Sequence, residues 1–290
     1  MKKNIIIVVL SLIIICGIIV IGMSRLDSNT QEIISNAINS TSKLKSFEAE
    51  LITYSEHKRE NGEISAMTIK SELICFSEPY RSYINMSVFN ETDGFSTNYE
   101  RYAVYDGEKF IIYTYDSISE NWNVADRYNK EHFPLHGGEN TIKEDIVFYL
   151  KNADRFKKDG EEKIKGYDTV KYIGTFVGYS LRNLYKNMGY SDNIIDSVLA
   201  KNKSLDISIW IDAKSYNVVK YSMDVAHIYQ YIHEMLNSEI KQSVPLAEIS
   251  WEKYQNEIII FNFDKAPEFE VPKDALEALK EQSDDSDDSN

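Results

Sequence analysis

Hydrophobic and polar positions change period several times along this chain, and each change marks an element. Residues 5–23 are an apolar run interrupted only by Ser11, Cys16, Gly17 and Gly22 and carrying no charge. Asn29 is then placed to cap a helix, with Glu32 as its returning partner in a capping box. Ile33, Ile34, Ala37, Ile38 and Leu44 follow at helical spacing and give one apolar stripe. From Phe47 the period drops to two: Phe47, Ala49, Leu51 and Thr53 alternate with Glu48, Glu50 and Ile52, and a turn at 60–63 leads into a second run at 64–76. Further strands are expected at 80–89, 99–105 and 109–115, the last two joined by Asp106-Gly107, a strong hairpin dipeptide.

The second half mixes both periods. Thr141 opens an amphipathic helix through Ile142, Ile146, Val147, Leu150 and Phe156, expected to close near Gly160. A strand at 169–177 follows the turn Lys165-Gly166-Tyr167, and a helical stretch at 181–199 is expected to break at Gly189. Ile207, Ile209 and Ile211 alternate with Ser208, Trp210 and Asp212, and after a turn the chain returns at 218–225. A short helix at 226–236, a last hairpin from 245–251 and 257–263, and a closing helix at 273–280 complete the series. Eight to ten strands joined mostly by hairpins, with helices before and among them, predict an α+β domain whose twisted antiparallel sheet carries helices on one face. Three isoleucines in strict alternation are best explained by burial, each stabilising by about 1.5 to 3 kcal/mol. They are therefore expected to face the helices, with Trp210 outward as a surface or partner-facing residue.

The apolar run sets the compartment. It is close to the 20 or so residues that cross a bilayer and longer than an ordinary signal core. Lys2 and Lys3 before it and an acidic chain after it place the tip 1–4 in the cytoplasm and the remainder outside the cell membrane. Three fates fit: an uncleaved anchor, cleavage at the small pair Gly22 and Ser24, or acylation of Cys16. Against the last, Ile15 stands where a lipoprotein peptidase needs a small residue, and the residues after Cys16 are apolar. Residues 24–29 read as a linker, 30–280 as one extracytoplasmic domain, and 281–290, crowded with Asp and Glu, as a disordered acidic tail.

Charge and chemistry narrow the function. A net charge of -14 excludes nucleic acid as a partner, since phosphate binding needs clustered Lys and Arg. Cys75 has no intrachain partner in the ectodomain and sits among Leu73, Ile74 and Phe76, as a buried structural thiol would. His233-Glu234 begins like a zinc-protease helix, but Asn237 stands where the second ligand belongs. His132 and His136 are separated by Pro134 and cannot share a helix face. His57 and His227 are isolated, and no nucleophile elbow or phosphate loop is present. The chain is expected to be a binding protein, not an enzyme, with no cofactor and no metal. Its 20 Tyr, 12 Phe and 3 Trp fit pleated sheet surfaces, or line a groove for an apolar ligand.

Lys45-Ser46-Phe47 at the first strand, Ile164-Lys165-Gly166-Tyr167-Asp168-Thr169 and the phrase from Ile209-Trp210-Ile211-Asp212 to Lys220-Tyr221 resemble the LolA-like lipoprotein carriers, and Val271-Pro272-Lys273-Asp274-Ala275 resembles the end of small Gram-positive envelope lipoproteins. That resemblance implies a half-barrel: a strongly curved antiparallel sheet with helices on its concave face, preceded here by the transmembrane or signal segment. It implies a lipid or other apolar ligand held between sheet and helices, or, alternatively, an envelope interaction or stress-sensing role through protein contacts. It names no ligand-contacting residue.

Overall fold

The structure, a computed structural model, describes residues 28–92, 94–105, 107–129, 141–240 and 249–278. The segment 5–23 with Cys16, the pair His132 and His136, and the tail 281–290 lie outside the described residues. Among the described residues no helix is long and apolar enough to cross a membrane.

Helix α1 (Ser28–Ser42) comes first, followed by a meander of six strands: β1 (Ser46–Arg59), β2 (Ile64–Ser77), β3 (Tyr80–Asn90), β4 (Ser96–Tyr105), β5 (Lys109–Asp116) and β6 (Asn121–Asn129). Helix α2 (Thr141–Asn152) leads to β7 (Arg155–Ile164) and β8 (Tyr167–Val177), then α3 (Gly178–Asn187) and α4 (Asp192–Lys201). Strands β9 (Ser204–Asp212) and β10 (Val218–Asp224), helix α5 (Ala226–Ile240) and β11 (Ile249–Phe261) close the series. All eleven strands form one antiparallel, curved and unclosed sheet in the order β6-β5-β4-β3-β2-β1-β11-β10-β9-β8-β7.

The helices gather on one face of this sheet. Helix α1 buries Thr30, Ile34, Ala37 and Thr41, one stripe at three- and four-residue spacing. Ile146, Tyr149 and Leu150 of α2, Leu181, Leu184 and Tyr185 of α3, and Ile195 and Val198 of α4 join the same core. The sheet contributes Phe47, Leu73, Tyr172, Phe176, Tyr221 and Ile260. Ile207, Ile209 and Ile211 are at most 1% exposed within it. Gly189, at φ +86°, ends the α3 turn where the sequence predicts a break.

Trp210 does face the other way, but not into water. It is 7% exposed, packed with Val219 and Ile164. Its indole N–H donates to Glu162 Oε2 at 2.9 Å, and the ammonium groups of Lys220 and Lys171 lie 4.7 and 5.3 Å from the ring centre. Lys220 and Lys171 on the neighbouring strands cover the ring, their ammonium groups paired with Glu257 and Asp159 at 2.8 and 2.6 Å, so the expectation of an exposed surface residue is corrected.

Three element expectations also change. The helix from Thr141 stops at Asn152 rather than near Gly160, and Phe156 belongs to β7. Its ring packs over Gly174, where an added Cβ would come within 2.6 Å of Phe156 Cε1. The last hairpin is instead a single long strand, β11, while 245–248 lie outside the described residues. Strands β6 and β7, which the periodicity does not predict, are the two edges of the sheet. An edge strand is relieved of burying one side, and β7 (RFKKDGEEKI) is charged almost throughout, as is common for edges that must not recruit another strand.

The outer face of the first meander is covered by the chain's own C-terminal stretch. The Phe269 ring lies 5.9 Å from Tyr102 and 6.1 Å from Tyr83 and Phe76. Ala275, fully buried, packs in a cluster with Tyr113 and Val124. Arg81 pairs with Glu268 and sits 4.1 Å above the Phe76 ring. Much of the aromatic density of this half is thus spent on filling a pleated surface.

Two substitutions read these faces separately. Ile209→Asp places an unpaired charge in the helix-covered core and should abolish cooperative thermal unfolding. Trp210→Ala should leave a folded chain less stable by about 3 kcal/mol in denaturant titrations. An Ile209→Asp chain that unfolds like the parent would reverse the face assignment.

Candidate functional site

The helix-covered face is sealed over β8–β10 but only half-buried where it crosses the seam between β11 and β1. Registered pairs carry this zone across the strands: Tyr221 pairs with Ile258, Ile258 with Leu51, Leu51 with Ser71, and Ser71 with Met86. Tyr221 is buried, whereas Ile258, Leu51 and Met86 are each half-buried, packed against the core yet still reaching its open side. One row over, Thr53 Oγ1 donates to Asn256 Oδ1 at 2.9 Å, a polar rung in an otherwise apolar strip.

At the start of β11 this strip ends in an aromatic cluster. The rings of Tyr229 and Tyr254 stack at 3.8 Å and 13°. Trp251 lies 5.5 Å from Tyr229, 5.7 Å from Tyr254 and 5.3 Å from His57. Local chain geometry builds it. A register shift between Glu56 and His57 pairs His57 with Trp251 and so brings both to the face that carries Tyr254. Gln230 Oε1 accepts from the Trp251 backbone N–H at 2.9 Å and ties α5 to the strand. Burial and the hydrogen bond with Tyr254 hold the Tyr229 phenol well above its ordinary value, so the Tyr229 ring stays neutral at any physiological pH. The site offers flat, amphipathic, half-covered surface, suited to apolar chains or rings.

Among the described residues His57 joins this cluster, and His227 lies apart from it, against Tyr185. His57 has its pKa lowered by burial, then by the charges of Arg59 and His233. His227 Nε2 lies 3.0 Å from the Tyr185 hydroxyl, and burial lowers its pKa against the opposing pull of Asp224. Cys75 is buried in the core. Among the described residues no three His, Cys, Asp or Glu side chains are grouped to hold a metal ion.

Two hollows lie elsewhere on the domain. One of about 210 Å³ between α1, α2 and β7 is lined by Ile34, Ile38, Leu150 and Phe156 and falls below the roughly 300 Å³ at which small-molecule sites begin. The other, about 340 Å³, lies at the turns around Asp212 and Lys214. There Asp212 Oδ2 accepts from the Ser215 backbone N–H and hydroxyl at 2.8 and 2.6 Å. Its polar groups are already used to fix the turn.

No protein-family model matches this sequence, and no curated protein matches it. Solved structures align over most of its length. Mycobacterium tuberculosis lipoprotein LppX aligns at 12% identity and a TM-score of 0.47, over 84% of this chain and all (100%) of that one. LprF from Mycobacterium bovis does so at 14% and 0.47, over 86% and 98%. A LolA superfamily protein from Nitrosomonas europaea aligns at 10% and 0.22, over 83% and 94%.

Sequence reading names no contact residue here because the cluster depends on a strand bulge and on pairing between distant segments. The one local signal is the tetrad from Trp251 to Tyr254 beside Tyr229 and Tyr231.

The lowered pKa of His227 has a sign that can be checked. The unfolded chain takes up a proton near pH 6.5 that the folded chain refuses until lower pH, so the unfolded state binds more protons between the two values and stability falls as pH falls through that window. Thermal midpoints should drop from pH 7.5 to 5.5. His227→Gln should flatten part of that slope; an unchanged slope would remove His227 from the account.

Proposed function

We propose that this chain is a non-catalytic, membrane-tethered binding protein of the cell envelope that holds a lipid or other apolar ligand between its sheet and its helices. One observation carries the reading: the face continuous with the core is left half-covered along Met86, Leu51 and Ile258 and ends in the Tyr229–Tyr254–Trp251 cluster. Apolar surface of this kind, at about 25 cal/mol per Å², favours an occupant over water. Segment 5–23 supplies the tether, with the domain on the extracytoplasmic side. The Tyr229 phenol, held neutral, and a His57 whose pKa burial lowers offer hydrogen bonds to a headgroup but no nucleophile.

Native mass spectrometry of the full chain released gently from membranes should show a bound mass beyond that of the protein, removable by collisional activation. Ile258→Glu should lose it, and Tyr254→Ala should weaken retention about tenfold or more, in line with the loss of one stacked, buried ring. A chain that arrives only as the bare mass, or with another envelope protein in place of a small ligand, would overturn the proposal in favour of a role through protein contacts.

A further inference from the structure

The exposed large hydrophobic side chains of this domain are concentrated on one rim of the sheet. Strand directions define that rim: β1 runs toward it, ending at Arg59, and by antiparallel pairing it also holds the starts of β2, β4, β6, β7, β9 and β11 and the ends of β3, β5 and β8. Among the described residues seven large hydrophobics are exposed, and six of them, Ile64, Phe89, Phe95, Ile118, Val177 and Tyr179, belong to this rim. Ile118 is 65% and Tyr179 78% exposed. The opposite rim, with the turns at 107–108, 165–166 and 213–217, has none of these six.

Helix α1 gives the rim its direction in space. Its first turn, at Thr30 and Gln31, lines the same hollow as Asp154 and Arg155, where β7 starts. Its last turns are tied to the other rim: Ser40 bonds Asn217 in the β9–β10 turn, and the Lys45 backbone N–H just beyond donates to Asp264 Oδ1 at 2.7 Å. The chain therefore enters the domain at Ser28 on the hydrophobic rim. Only four residues, 24–27, separate Ser28 from the apolar run 5–23, a span of at most about 14 Å when fully extended.

We infer that this rim lies against the bilayer, with Ile64, Phe89, Phe95, Ile118 and Tyr179 inserted at the interface, so that the open aromatic cluster faces the lipid surface. The inference rests on the reading of 5–23 as a retained tether. The occupant is a lipid surface because the tether leaves no room for the rim to stand far from one, and because scattered apolar tips on successive hairpins suit a fluid layer more than a shaped protein pocket. The contact is apolar in kind: Lys58 and Arg59 are outnumbered by Glu60 and Glu63 on their own turn and Glu91 and Glu120 on the next two of this rim, which gives anionic headgroups no preference. It also gives the site a supply route. Trp251 and His57 stand near the rim ends of β11 and β1, so an acyl chain leaving the bilayer meets the cluster first and the strip along Ile258, Leu51 and Met86 next.

The test places an environment-sensitive nitrobenzoxadiazole label on single added cysteines in the full chain, reconstituted in phosphatidylcholine vesicles with and without doxyl-labelled lipid. Phe89→Cys and Ile118→Cys report the rim; Lys214→Cys, exposed in the opposite turn, is the control, and the chain with no added cysteine gives the background from Cys16 and Cys75. Doxyl lipid should quench the rim labels several-fold more than the Lys214→Cys label, equally in high salt. Retention of the chain in the vesicle pellet at alkaline pH is measured alongside. A retained chain whose rim labels are not quenched, or whose Lys214→Cys label is quenched as strongly, overturns the rim orientation alone. A chain released at alkaline pH overturns the tether reading and the orientation with it.

Discussion

The pairing of β1 with β11 joins two meanders that each form from local hairpins, and it does so between residues as far apart as Thr53 and Asn256, 203 positions in sequence. The candidate binding strip lies along this seam. Without it the first meander would present its inner face to water, and the helices, which pack on β8, β9 and β11, would cover only the second. Closing so long a loop costs chain entropy that only contacts made afterwards can offset. The seam is correspondingly apolar where it is deepest, at Ala49 and Ile260, both at most 1% exposed, and gains its polar rungs only farther along.

A sheet of eleven strands has two faces to cover, and this chain covers them by different means. The inner face receives amphipathic helices; the outer face receives a C-terminal strap through Phe269 and Ala275 on one half, and the stems of Lys171 and Lys220 over Trp210 on the other. The covering of the inner face is complete over β8–β10 and thins toward β1–β3. A domain that needed only stability would fill that strip with larger side chains or extend a helix over it. Leaving Leu51, Ile258 and Met86 half-buried beside stacked tyrosines is better explained by an occupant that comes and goes. On the proposed orientation the apolar rim is the complementary feature, facing the opening toward the layer in which an apolar occupant dissolves.

Much of this was legible in the sequence where periodicity is local. The isoleucine alternation at 207–211 has its face, α3 and α4 divide at Gly189, and the hairpins of the first meander fall near their expected places, because each is dictated by neighbouring residues. The failures share a cause. Strand β7 shows no apolar alternation, since an edge needs none, and Phe156 fits the period of the helix before it while its contact is with Gly174, 18 positions later. Trp210 was read as exposed since its immediate neighbours are polar, though its cover comes from Lys171, Lys220 and Glu162 on adjoining strands. The candidate site was illegible for the same reason: His57, Tyr229 and Trp251 become neighbours only through the seam and its register shift. The run 5–23 was readable as apolar, and that the chain enters the domain at Ser28 on the rim becomes visible only when the direction of α1 is known.

The central claim is that an apolar ligand occupies the β1–β11 seam, and a photoactivatable fatty acid supplied to membranes carrying the full chain tests it most directly. After irradiation and peptide mass mapping, the account predicts adducts on Ile258 or Tyr254 and on Leu51, reduced by an excess of unlabelled fatty acid. Adducts confined to residues 1–27 and the rim, with none in 249–258, would contradict it.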